Sequence, residues 1–153
     1  MLSSPTKIKL TGCQPRTLAS LLDLQETSYL RLQRLVPDLE GLPDHAVSSV
    51  AGALDLHLHV EHRHRFTTDL VLTYALADEG GEPLYEPNLH IRLYRDARVA
   101  EATSGRLRHH LHHRCWRRPE PSALEVKWDL NRFLQRWLGY CLHQGHLFLP
   151  LDR

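Results

Sequence analysis

Ser122 to Gly145 reads SALEVKWDLNRFLQRWLGYCLHQG. The spacing predicts one long helix with both ends marked. Ser122 and Glu125 form an S-x-x-E capping box, whose side chains satisfy backbone N–H groups of the first turn. Pro121 discourages helix upstream, and Gly145 suits the left-handed position that ends a helix. Between the caps, Leu124, Val126, Trp128, Leu130, Phe133, Leu134, Trp137, Leu138, Tyr140, Cys141 and Leu142 cover well over half the circumference. Such a helix is expected to be buried on several sides.

Working outward from that helix, the pattern changes period. Leu18, Leu21, Leu22, Tyr29, Leu32, Leu35 and Val36 recur at helical spacing until Pro37, which predicts an N-terminal helix. Residues 1–15 read as a flexible lead-in to a single domain over 16–153. Asp38 to Asp44, with Gly41 and Pro43, read as a connector. Leu54, Leu56, Leu58 and Val60 then alternate with Asp55, His57, His59 and Glu61, the mark of a strand buried on one face. Further strands are predicted at Thr67–Ala77, Asn88–Tyr94 and Arg98–Thr103, with a fifth at Leu107–Trp116. A loop falls at Asp78–Pro83, and a turn at Arg95–Ala97. Strands so closely joined cannot form a parallel sheet with helical crossovers. The expected class is α+β: an antiparallel meander of four to five strands, flanked by an N-terminal and a long C-terminal helix packed on one face.

Composition narrows the function classes. The chain has 153 residues, 42% hydrophobic and 24% charged with formal net charge +1, which suits a packed domain and argues against disorder or a strongly basic nucleic-acid protein. No run of 18 apolar residues occurs, so no membrane span or membrane partner is expected. The N-terminus lacks the apolar stretch of a secretory signal. Cys13, Cys115 and Cys141 are odd in number and widely spaced, which points to a reducing cytoplasm. No phosphate-binding loop, dinucleotide fingerprint, nucleophile elbow or H-E-x-x-H motif is present, so no catalytic residue and no cofactor are assigned, and the reading is non-enzymatic.

Four segments in order carry a family resemblance: Glu26-x-x-Tyr29-x-x-Leu32-x-Arg34-Leu35-x-Pro37, Arg65-Phe66-Thr67-Thr68, Arg92-Leu93-Tyr94-x-Asp96-Ala97-x-x-Ala100-Glu101, and Asn131-x-Phe133-Leu134-x-x-Trp137-Leu138-x-Tyr140-Cys141-Leu142-x-x-Gly145. Together they resemble the YqiB-like proteins, a gammaproteobacterial family of unknown function. The resemblance implies a small cytoplasmic bacterial protein and no particular activity. The chain departs from the family pattern between Arg106 and Arg118, where this sequence is rich in histidine.

Three constellations are candidates for chemistry. Arg106, Arg108, Arg114, Trp116, Arg117 and Arg118 lie with His109, His110, His112 and His113 in a segment that has no acid. Cationic side chains around an aromatic suit phosphate contact and base stacking, and they equally suit a charged sheet edge that resists pairing. His57 and His59 share one face of their strand and could ligate a metal; the solvent face of an amphipathic strand explains them as well, and no stoichiometric metal is expected. Glu26, Tyr29, Arg92, Asp96 and Asn131 form a polar set that lines a pocket or makes structural pairs. Glu26 is expected on Arg92, and Asn131 on a strand carbonyl or Tyr29. The sequence thus supports a non-catalytic binding or adaptor module, with an unknown protein partner or a small anionic ligand. Its alternatives are a nucleotide or single-stranded RNA binder through 106–118, and a metal-binding protein using the histidines. Oligomeric state is left open.

Overall fold

The computed structural model describes residues 16–76, 80–105 and 122–150. The expected lead-in over 1–15 and the basic segment 106–118, with its possible fifth strand, lie outside the described residues.

Helix α1 spans Leu18–Leu35. Thr17 and Ser20 cap it reciprocally: Ser20 N–H donates to Thr17 Oγ1, and Thr17 N–H donates to Ser20 Oγ. It stops where Pro37 forces Val36 out of helical geometry, at φ −129° and ψ 78°. Helix α2 spans Ala123–His143, and Ser122 accepts from the Glu125 N–H, which is one half of the predicted capping box; the return bond from the Glu125 side chain is not made among the described residues. Gly145 closes it at φ +93°. The Gly145 N–H reaches Leu142 O and the His146 N–H reaches Cys141 O, the paired bonds of a Schellman cap. The expectation of burial on several sides is too broad. Trp128, Leu130, Asn131, Leu134, Trp137, Leu138 and Cys141 form one broad buried face, while Leu124, Val126 and Tyr140 stay exposed. Apolar residues thus overcount the buried surface, because polar residues alone do not cover a protein.

Five antiparallel strands follow in meander order: β1 (His45–Ser48), β2 (Leu56–Arg63), β3 (Thr67–Leu76), β4 (Leu84–Tyr94) and β5 (Val99–Ser104). The class is α+β, as the sequence predicts. Several boundaries differ, and Leu54, expected on the buried face of the strand, lies before β2 and is exposed. His45–Ser48, expected in or near a connector, pairs with β2; four residues are too few to show a period. Strand β4 begins four residues earlier than predicted, because Pro87 and a shift of register near Leu72 and Tyr74 break the alternation without ending the pairing.

Alternation sorts the sheet into two faces. Leu56, Leu58, Leu70, Leu72, Leu89, Ile91, Ala100 and Ala102 point to the helices. There they meet Leu32, Leu35, Leu134, Trp137, Leu138 and Cys141 in one core. Trp128 joins Leu21 and Leu24 in a second cluster between the helices. The tail returns along α1: Phe148 is buried, and its N–H donates to Leu35 O. The opposite face carries His57 and His59 from β2, Asp69 from β3, and His90 and Arg92 from β4. No helix among the described residues is long and apolar enough to cross a membrane.

Candidate functional site

The predicted polar set does not assemble into one pocket. Arg92 lies between the inward Ile91 and Leu93, so it points away from the helices. Its Nε donates to Asp69 Oδ1 at 2.8 Å. Glu26 is exposed on α1. The expected Glu26–Arg92 pair is therefore wrong, because the sheet stands between them. Asp96 closes the β4–β5 turn by accepting from the Ala97 N–H. Asn131 does meet a strand: its Oδ1 accepts from the Ala102 N–H at 2.9 Å, and its Nδ2 donates to Ala102 O at 3.5 Å and Lys127 O at 2.8 Å. Among the described residues β5 is a sheet edge, and the side-chain amide takes the place of a neighbouring strand there.

Tyr29 alone of that set lines a cleft. The cleft sits where the end of α1 passes β4 and holds about 210 Å³. Its apolar walls are Leu32, Val36, Pro37, Leu39 and Leu93, and Asp38, Glu40 and Arg95 stand at its polar end. Sequence reasoning missed Arg95, which reads as a turn residue. Its guanidinium pairs with Glu40, and its Nη2 donates to His64 O and Thr68 Oγ1. Its Nε–H is buried with no hydrogen-bond partner among the described residues. These bonds fix Arg95 against three segments. Three of the four family-like segments reach this region, through Tyr29, Leu32 and Pro37, through Thr68, and through Leu93.

The second constellation lies on the helix-free face. His57 and His59 are where the alternation predicts, and β1 adds His45, which no spacing along the chain singles out. His45 stands opposite His59 in the register. The next pair is bonded, with Val60 N–H donating to Asp44 O, so His45 and His59 form the non-hydrogen-bonded pair in which side chains sit closest. Their rings stack with centroids 4.1 Å apart, and His45 Nε2 is 3.2 Å from His57 Nδ1. One ligand nitrogen from each ring lies within 4.8 Å of the others. Partial burial holds the His57 and His59 imidazoles below the usual histidine range, and nearby His45 pushes the same way. Asp55, just before β2, acts oppositely on His57, and Glu61 of β2 does so on His59. Tyr85 packs edge-on to His57, beside a shallow hollow bounded by His59, Thr73 and Asn88.

A third polar group is buried near the tail. His146 Nδ1 lies 3.0 Å from Ser48 Oγ, and its Nε2 has no partner among the described residues. Burial lowers its pKa. Tyr74 lies between the His146 ring and Cys141, with its hydroxyl 3.3 Å from Cys141 Sγ. Burial pushes that thiol up to about 11.

The comparisons with known proteins agree with one another. The protein YqiB of Escherichia coli strain K12, described only as uncharacterized, is 27% identical over 132 residues, covering 86% of this chain and 92% of its own length. Proteins of the same name from the O6:H1 and O157:H7 strains match to the same extent. No solved structure matches. A family model described as a protein of unknown function, DUF1249, matches residues 31–147 and so takes in every strand, all of α2 and the end of α1. The chain belongs to the DUF1249 family.

Proposed function

We propose that this protein is a non-catalytic binding module, and that its seat is the cleft at the end of α1. The observation that carries this reading is Arg95. Three of its contacts are already made, and its buried Nε–H meets no acceptor among the described residues. An acceptor delivered by a ligand would satisfy it, and an unsatisfied buried donor costs about 1–3 kcal/mol. The chemistry of the walls selects the ligand. Five apolar side chains suit one apolar group. Asp38 and Glu40 outnumber the single guanidinium, which disfavours a phosphate or free carboxylate. An apolar side chain beside a neutral backbone carbonyl fits both requirements. A peptide segment of a partner protein supplies that pair, which is the adaptor reading in concrete form.

Gln33 is an exposed residue on the cleft wall, so Gln33→Trp fills the cleft without entering the core. Peptides selected from a random library on the wild-type protein should shift the methyl resonances of Leu32, Val36 and Leu93. Their binding should be lost in Gln33→Trp. Peptides that bind the variant equally well would place the seat elsewhere.

A further inference from the structure

We propose that His45, His57 and His59 form a binding site for one divalent transition-metal ion of the zinc class. The alternation alone predicts no stoichiometric metal, since His57 and His59 suit the solvent face of an amphipathic strand. The fold adds a third imidazole by setting His45 of β1 opposite His59. Three imidazoles are the smallest protein ligand set that holds zinc firmly while leaving a fourth position open.

The geometry is close to what the ion needs. Zinc–nitrogen bonds of about 2.0–2.1 Å at tetrahedral angles set ligand nitrogens roughly 3.3 Å apart. The His45 Nε2–His57 Nδ1 distance is 3.2 Å. All three nitrogens fall within 4.8 Å. The His45 and His59 rings stack nearly parallel, at 7°, so the three nitrogens converge on one ion once the imidazoles turn about their side-chain bonds. Imidazole donors with no thiolate among them suit zinc, copper(II) and nickel(II) rather than calcium or magnesium, which take oxygen ligands. Glu61 on β2 and Asp55 just before it bring negative charge near the imidazoles, which favours a cation there. The ligands stand on paired strands whose register is set by the core on the other face, so the site is held in place before any ion arrives. The open fourth position faces solvent beside Tyr85, where water or a ligand from a partner molecule would complete the shell.

The test uses untagged full-length protein stripped with a chelator and titrated with zinc against a chromophoric competitor. One zinc per chain is expected. Replacing either His45 or His59 by Ala should weaken it by more than the 10–100-fold or so that loss of a mere outer-shell partner costs. Zinc should also shift the ring-nitrogen NMR signals of His45, His57 and His59. The neighbouring pair His62 and His64 provides one control, and His109, His110, His112 and His113 another. Changing either group to Gln should leave the stoichiometric site intact. His45 is exposed, so an unchanged urea midpoint will show that His45→Ala still folds. Absence of one-to-one binding, binding that survives both His45→Ala and His59→Ala, or binding that disappears with either control group would overturn the proposal.

Discussion

Replacing Asn131 by Leu tests how this sheet ends. Asn131 is fully buried in α2, and its amide covers both backbone groups of Ala102 on edge strand β5. Leu has nearly the same volume, so the substitution removes hydrogen bonds without opening a large cavity. The stranded Ala102 N–H then costs about 1–3 kcal/mol, and the longer bond to Ala102 O adds little. Lys127 O loses a second donor but remains within the helix ladder. A loss of about 2 kcal/mol is expected. With a urea m-value of about 2 kcal/mol/M, the midpoint should fall by about 1 M. Hydrogen exchange gives a local readout: the Ala102 amide should lose protection well beyond its β5 neighbours. Asn131→Asp separates the two halves of the bond pair. It keeps the acceptor for Ala102 N–H but turns a carboxylate oxygen toward two carbonyls. Burial would raise that carboxyl's pKa, so the folded state would take up a proton as pH falls. The Asp variant should therefore be less impaired at pH 5 than at pH 8, relative to wild type. A Leu variant as stable as wild type, with Ala102 still protected, would refute the account of the edge.

Other consequences are open to the same methods. Trp137 packs edge-on against Tyr74 at 5.5 Å and beside Phe133, so Trp137→Ala should cost about 3–5 kcal/mol by equilibrium denaturation. An unchanged midpoint would make α2 peripheral. Burial lowers the pKa of His146, as it does for His57 and His59, so the unfolded chain takes up protons that the folded one refuses. Stability should be at full strength above the ordinary histidine range near 6.5 and fall on acidification below it, with a shallower fall in His146→Gln; a rise between pH 7 and 5 would contradict the burial. Cys141, with its thiol raised to about 11, should resist iodoacetamide at pH 8 in a Cys13→Ser/Cys115→Ser variant and react once urea unfolds it. If the five arginines of 106–118 all meet phosphates of single-stranded RNA, the log–log salt slope should be about −3.5; absence of salt-sensitive binding at low ionic strength would remove that alternative.

What the sequence made legible follows from the range of each signal. Both helices show because their caps and periodic faces are local. Strands β2 and β3 show because eight or more residues alternate. Strand β1 is hidden because His-Ala-Val-Ser is too short to carry a period, and only its partner reveals it as a strand. His45 is lost with it: no spacing along the chain relates residue 45 to residue 59, and the pairing alone does. The Glu26–Arg92 expectation fails for a different reason. Ile91 and Leu93 already point inward by alternation, which sends Arg92 outward and away from any helix on the core side. That parity was available in the sequence and outweighs the attraction of opposite charges. The Arg95 cleft was illegible because its walls come from α1, the following turn and β4, which only the tertiary fold brings together.

The two faces of β2 divide stability from chemistry by parity. Leu56, Leu58 and Val60 fill the core, while His57, His59 and Glu61 project from the other side. A slip of one residue of β1 against β2 would turn Ala46 and Ser48 away from the core face and move His45 out of opposition to His59 in the same step. Ala46 packs on the core and buried Ser48 bonds His146, so the inner face of β1 resists that slip. The histidines need contribute nothing to their own placement. Their rings are stacked and partly open, and their removal leaves the leucines packed. Substitutions at His45, His57 and His59 should therefore act on binding with little effect on folding. Substitutions at Leu56 and Leu58 should do both, since they loosen the register that aligns the imidazoles.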